Sequence, residues 1–214
     1  MLTLSLPSLD RFRRNSSECP VSGNAVFVTS SDPDILKDFL VPPSLDPNTI
    51  TRQYFTFTGF RLLRNANLTG KTTALVTKAT MKEFPALEGQ GVSVSAIIYP
   101  PSGMNLPHIH PRASELLIVL QGSLQVGFVD TTNKLFTQTI EAPDMFIFPK
   151  GLVHFQVNMR NDSPAYALGV FGSANGGTVS LPSTVFGSGI PAETLAKAFK
   201  TDEETISKLI GANE

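Results

Sequence analysis

The sequence of 214 residues is sparing with several things, and each scarcity excludes something. It has one cysteine, Cys19, so no disulfide can form within the chain. Its 17 basic and 18 acidic side chains leave a net charge of −1. That balance lacks the basic patch that neutralises phosphates and argues against a nucleic-acid partner. No apolar run is long enough to span a bilayer. Histidine occurs three times, at His108, His110 and His154. All three lie beside strand and turn residues, which points to a metal site.

The first two fall in Pro107-His108-Ile109-His110-Pro111-Arg112-Ala113-Ser114-Glu115. On an extended strand, side chains two apart share a face, so His108 and His110 can point inward together. Glu115 follows the Pro111 break and opens the apolar run Leu116–Leu120, so it can enter the same interior. Leu116, Ile118 and Leu120, or their neighbours, would wall that interior. A return strand carrying Pro149-Lys150-Gly151-Leu152-Val153-His154 could bring in the third imidazole, with Asn158 behind it. Imidazole suits Mn, Fe, Zn, Ni or Cu, and an added carboxylate shifts the preference toward Mn or Fe. Four ligands on an octahedral ion would leave two positions for water, oxygen or a small substrate.

The rest of the chain reads as β structure around these motifs. Val92, Val94 and Ala96 alternate with Ser93 and Ser95, the period of a strand. Short apolar runs then recur, separated by turn residues: 115–120, 124–129, 135–140, 145–148, 154–157 and 166–171. Strands at this spacing predict a sandwich or barrel, and a double-sheet jelly roll can enclose a small pocket. Gly122 and Gly151 fall at turns, and Phe146, Phe148 and Phe155 read as core. The tail changes period. Residues 191–199 form a helix started by Pro191. Thr201 and Glu204 have capping-box spacing before Ile206, Leu209 and Ile210, with Gly211 as the stop.

Length fits one domain over 32–214. Residues 1–31 contain Arg11, Arg13 and Arg14 and lack a continuous apolar core. They read as an atypical leader or signal-like segment.

These motifs resemble those of the cupins. His108-Ile109-His110, Glu115 and Gly122 are similar to the first cupin motif; Asp144, Pro149-Lys150-Gly151, His154 and Asn158 are similar to the second. The wording from about Asp32 to the C-terminus, including Ala198-Phe199, resembles the plant germins and germin-like proteins. The resemblance implies an all-β cupin jelly-roll barrel with short C-terminal helices. Inside it, His108, His110, Glu115 and His154 would bind one manganese ion, with Fe or Zn as other candidates. It further implies secretion to the apoplast or cell wall, a role in defence or stress, and a homo-oligomer, a hexamer built as a trimer of dimers through the C-terminal helices.

Two activities recur in that family. Superoxide dismutation needs an open metal position. Oxalate oxidation needs asparagines that orient the substrate. Asn105 matches one of these and stands near the open positions, but Ser95 occupies the place of the other. A hydroxyl cannot reproduce both hydrogen bonds of an amide. Dismutation is therefore expected ahead of oxalate oxidation. The alternative is a non-catalytic extracellular binding or structural protein with a metal-stabilised barrel. A metal other than manganese would imply the dioxygenase or isomerase chemistry of other cupins.

The resemblance also implies a disulfide near the mature N-terminus. Leu40 stands at its first position, and no cysteine follows in 54–63. Packing of Phe55, Phe57 and Phe60 is expected to replace part of that tie. Three glycosylation triplets occur, at Asn15, Asn67 and Asn161. Asn67 lies in a polar stretch and is the strongest acceptor. Asn161 is handicapped by Pro164, and Asn15 lies in the leader-like segment.

Overall fold

The computed structural model describes residues 32–213. The leader-like segment, with Cys19 and Asn15, lies outside them. Ten strands are present among the described residues: β1 (Leu75–Ala79), β2 (Ser93–Tyr99), β3 (Met104–Ile109), β4 (Glu115–Gln121), β5 (Ser123–Val129), β6 (Leu135–Glu141), β7 (Met145–Phe148), β8 (Val153–Val157), β9 (Ala165–Phe171) and β10 (Val179–Ser180). Helices α1 (Leu181–Phe186), α2 (Ala192–Phe199) and α3 (Glu203–Gly211) follow. One sheet runs β1-β2-β9-β4-β7 and the other β10-β3-β8-β5-β6, each with five strands. All strand pairs within them are antiparallel. This is the jelly-roll barrel that the strand pattern predicts.

The two sheets face each other across an apolar core. Ile97, Tyr99, Leu117, Leu124, Ile140 and Phe148 are its largest buried members, joined by Val119 and Val126. Removing such side chains from water is the main term holding the sheets together. Along β4 the inward residues are Glu115, Leu117 and Val119. The wall of the interior therefore comes from the neighbours of Leu116, Ile118 and Leu120. The last of these is exposed. Pleat parity decides this: once Glu115 points in, residues 117 and 119 must follow. The same parity turns the Ser93 and Ser95 face of β2 inward, while Val92 is exposed and Val94 half-buried. The alternation has the expected period with its polar face toward the interior. Gly122, between β4 and β5, has φ +83°, and a Cβ there would press on Ala165.

Among the described residues, the segment before β1 is tied down by contacts other than a disulfide. Tyr54 donates its hydroxyl hydrogen to the Leu40 carbonyl at 2.7 Å. Phe39 meets Phe55 edge-on at 5.0 Å. Phe57 packs on Phe60 and Phe84. The aromatic contact extends to Phe39 and Tyr54, beyond the residues expected from sequence.

The C-terminal helices build a satellite core of Leu195, Ala196 and Ile206, flanked by Val185, Phe186 and Ile210. The helix α2 begins directly after Pro191, as expected. The cap of α3 sits one residue later than Thr201: Asp202 accepts the Thr205 amide hydrogen at 2.8 Å. An aspartate at this position satisfies an orphan helix donor better than the threonine before it. Helix α1 carries no strong periodic signal and escapes the sequence reading.

Candidate metal centre

Strands from both sheets carry the four residues picked from the sequence. His108 is the penultimate residue of β3, His110 lies just past its end, Glu115 opens β4, and His154 lies on β8. The β3–β8 register sets His108 opposite His154. The turn of the second motif is stitched to the first by the Gly151 amide, which donates to the His110 carbonyl at 3.1 Å. All four side chains are buried, and one ligating atom from each lies within 4.8 Å of the others.

Backbone carbonyls decide the ring tautomers. His108 Nδ1 lies 2.7 Å from the Leu106 oxygen and His154 Nδ1 2.8 Å from the Leu152 oxygen. His110 Nδ1 lies 2.5 Å from the Gly177 oxygen. A carbonyl oxygen only accepts, so each Nδ1 carries the proton and donates it. In a neutral ring, Nε2 is then a lone pair.

Those lone pairs turn toward a carboxylate. His110 Nε2 is 3.0 Å from Glu115 Oε2, and His154 Nε2 is 3.3 Å from the same oxygen. Burial alone would push the Glu115 carboxyl up; hydrogen bonds and positive charge from the His110 and His154 rings, available when Nε2 also carries a proton, outweigh it and hold it at about 2. Burial, reinforced by the nearby His154 ring, lowers His108 to about 4. A neutral imidazole nitrogen and an ionised carboxylate oxygen are both acceptors, so contact at this distance calls for a proton or a metal cation shared by the two. The second oxygen, Glu115 Oε1, is buried with no protein donor. Three like-oriented imidazoles, an ionised carboxylate and an orphaned carboxylate oxygen fit a divalent metal.

Residues beyond the four hold them in place. Phe148 stacks on the His154 ring at 4.5 Å and Phe171 meets His110 edge-on at 4.7 Å. Gly169 of β9 lies under the carboxylate, where a Cβ would strike Glu115 Oε1. Sequence reasoning took Phe148 for core and gave no role to Phe171, Gly169 or Gly177. The carbonyls of Leu106 and Leu152 are two residues from their histidines and thus within local reach. Gly177 is 67 residues from His110, and no pattern in the sequence links them.

A cavity of about 130 Å³ adjoins the centre and is lined in part by Val76, Ser95, Ile97 and Asn105. Ser95 and Asn105 are thus brought together beside the ligands. Asn158 is not. Its Nδ2 is shared among the carbonyls of Tyr99, Pro100 and Ser163, and it staples the end of the barrel. Asn67 and Asn161 are exposed. No described helix is long and apolar enough to cross a membrane.

The comparisons agree with this geometry. Residues 60–207 match the cupin family. Germin-like protein 9-3 of Oryza sativa subsp. japonica is 54% identical over 198 residues, covering 88% of this chain and 89% of that protein. Germin-like protein 9-1 of the same organism is 50% identical over 182 residues, covering 84% and 72%. A solved structure of oxalate oxidase superposes with a TM-score of 0.78 at 31% identity, covering 85% of this chain and 98% of that one.

Proposed function

Because the chain belongs to the germin-like proteins of the cupin family, we propose that it is a secreted manganese protein of the plant apoplast, with a role in defence or stress. Its centre would be His108, His110, Glu115 and His154. The observation that carries this reading is the set of three imidazoles whose Nδ1 atoms are spent on carbonyls, two of them turning Nε2 to the Glu115 carboxylate, with all four ligating atoms within 4.8 Å of one another. Bound manganese would supply one-electron redox chemistry at its open positions. The chain's own residues orient the rings and neutralise one positive charge through Glu115, with Phe148 and Phe171 packed on the His154 and His110 rings.

Among reactions, the cavity favours superoxide dismutation over oxalate oxidation. Asn105 lines the space beside the ligands, but its partner is the hydroxyl of Ser95. One amide and one short hydroxyl offer a dicarboxylate fewer fixed hydrogen bonds than two amides would. Replacing Ser95→Asn is expected to raise oxalate turnover about tenfold or more. No gain would remove this ground for preferring dismutation.

The first experiment is metal analysis of the purified full chain, with dismutase and oxalate oxidase assays on the same sample. About one manganese per chain, with dismutase activity lost on chelation, is the expected result. Metal without either activity would move the reading to a non-catalytic protein whose ion holds the barrel together. That second reading is favoured by the place of the centre, which joins β3 and β8 of one sheet to β4 of the other. Absence of stoichiometric metal would overturn both. Fe or Zn in place of Mn would redirect the reading toward other cupin chemistry.

Assembly as a homo-oligomer, a trimer of dimers, is part of the same reading. It is supported by exposed Leu120, Met145 and Ile147 on the outer face of β4 and β7, and by exposed Phe199 and Leu209 on α2 and α3. Light scattering on the purified protein tests it, with a mass of six chains expected and a monomer excluding it. Sequencing the mature N-terminus tests secretion: a start near Asp32 is expected, and a start near Met1 would refute cleavage. Mass spectrometry of the secreted protein tests glycans at Asn67 and Asn161.

A further inference from the structure

The cavity beside the centre continues toward the surface through a smaller one of about 20 Å³. Lys78, Ser95, His110, Phe171 and Thr178 line both, so the two form one passage. Apart from the candidate ligands His108, His110 and Glu115, Lys78 is the one charged side chain among the described residues lining it. It lies on β1 directly across from Ser95 of β2, and cross-strand partners project to the same face. Its Nζ donates to Thr178 Oγ1 at 3.1 Å, which spans the mouth from one sheet to the segment leading into the other. An ammonium has three donors and this bond uses one. Among the described ion pairs, none engages Lys78. A lysine at the entrance, with donors to spare and no carboxylate to neutralise it, presents a positive potential to whatever enters. Thr178 also follows Gly177, whose carbonyl orients His110, so the mouth and the centre share one short backbone segment.

We propose that Lys78 is the anion-recognising residue of this passage, the side chain that meets the charge of a small anion on its way to the centre. Walls of Val76, Ile97 and Phe171 limit its size, and the hydroxyls of Ser95 and Thr178 supply neutral donors along the path. Lys78 is exposed, so its ammonium stands at the solvent end of the passage, across from the short Ser95 side chain. This inference rests on the reading of the centre as a metal site and assigns Lys78 a role in recognising its ligand.

The test uses the full chain loaded with manganese, its metal content measured first, and azide as the probe anion. Azide affinity is compared by calorimetric titration in the parent protein, Lys78→Met and Lys78→Arg. At about 0.01 M salt, Lys78→Met is expected to bind azide about tenfold more weakly, because one unit charge near the ligand has been lost. At about 1 M salt that gap is expected to close, since screening then acts within a few ångströms. Lys78→Arg keeps the charge and is expected to stay within about twofold of the parent. Equal affinities of parent and Lys78→Met at low salt would overturn the inference, with the metal reading untouched. A parent chain that takes up no metal fails the earlier reading before any azide is added. A melting temperature and metal content unchanged in Lys78→Met would assign the loss to the passage and not to the fold.

Discussion

Gly169 of β9 lies under the carboxylate of Glu115 on β4, so close that a Cβ on residue 169 would collide with Oε1. The two strands are paired, and residue 169 sits across from Leu117, one inward step from Glu115. A glycine is required here by close approach and not by backbone conformation.

Gly169→Ala is therefore expected to push the carboxylate out of line with the three rings. Metal affinity should fall about tenfold or more, the scale seen when groups that orient ligands are disturbed. Metal titration with circular dichroism on the same sample checks it. Unchanged affinity in a folded variant would show that Glu115 has room to move.

Removing the metal should loosen the barrel. An ion present at about 1,000 times its Kd stabilises the folded state by about 4 kcal/mol. For a chain of this size that corresponds to a fall in Tm of roughly 10 °C on chelation. Glu115→Gln, which cannot neutralise the ion's charge, should show the lower Tm before any chelator is added. Identical melting with and without chelator would contradict a metal bridging the sheets.

The metal-free protein should weaken in acid over a defined window. In the fold His108 protonates near 4 instead of 6.5, so the unfolded chain takes up that proton at higher pH. Its contribution is complete above 6.5 and is lost as pH falls toward 4. Glu115, held at about 2 against an ordinary 4.5, acts in the same direction lower down. Its contribution is present above 4.5 and is lost as pH falls toward 2. Between pH 6.5 and 4 the histidine alone should cost about 3 kcal/mol. Denaturant unfolding of the chelated protein at several pH values checks this, and a flat profile would refute it.

Asn158 and Tyr99 are both buried polar residues, yet their removal should differ. Asn158→Ala deletes an amide shared among the carbonyls of Tyr99, Pro100 and Ser163 and leaves them short of a donor. A loss of about 2–4 kcal/mol is expected. The Tyr99 hydroxyl has no protein partner. Tyr99→Phe should therefore change stability by less than about 1 kcal/mol. Equilibrium unfolding of both variants gives the comparison, and a larger loss in Tyr99→Phe would reverse the ranking.

Much of the centre was legible in the chain itself. His-x-His on a strand places two rings on one face whatever the surroundings, because the pleat has period two. A proline break before Glu115 and the turn at Pro149-Lys150-Gly151 mark where strands re-enter. The apolar runs with turns between them imply a barrel, because strands of that length must bury one face. The same local rules located α2 and α3.

What they could not supply was direction. Alternation gives a period but not which face is inside. Residues 116, 118 and 120 thus stood level with 117 and 119 until β4 was paired with β7 and β9, and Ser95 emerged inward beside Lys78 only through the β1–β2 register. The acceptor of the His110 proton, the glycine under Glu115 and the Lys78–Thr178 bridge all join residues far apart in sequence. The sequence by itself determined which four side chains could meet and that they would do so on strands. The tertiary structure alone decided which nitrogen of His110 and of His154 faces the carboxylate and what lines the way in, because both depend on contacts made only when the two sheets close.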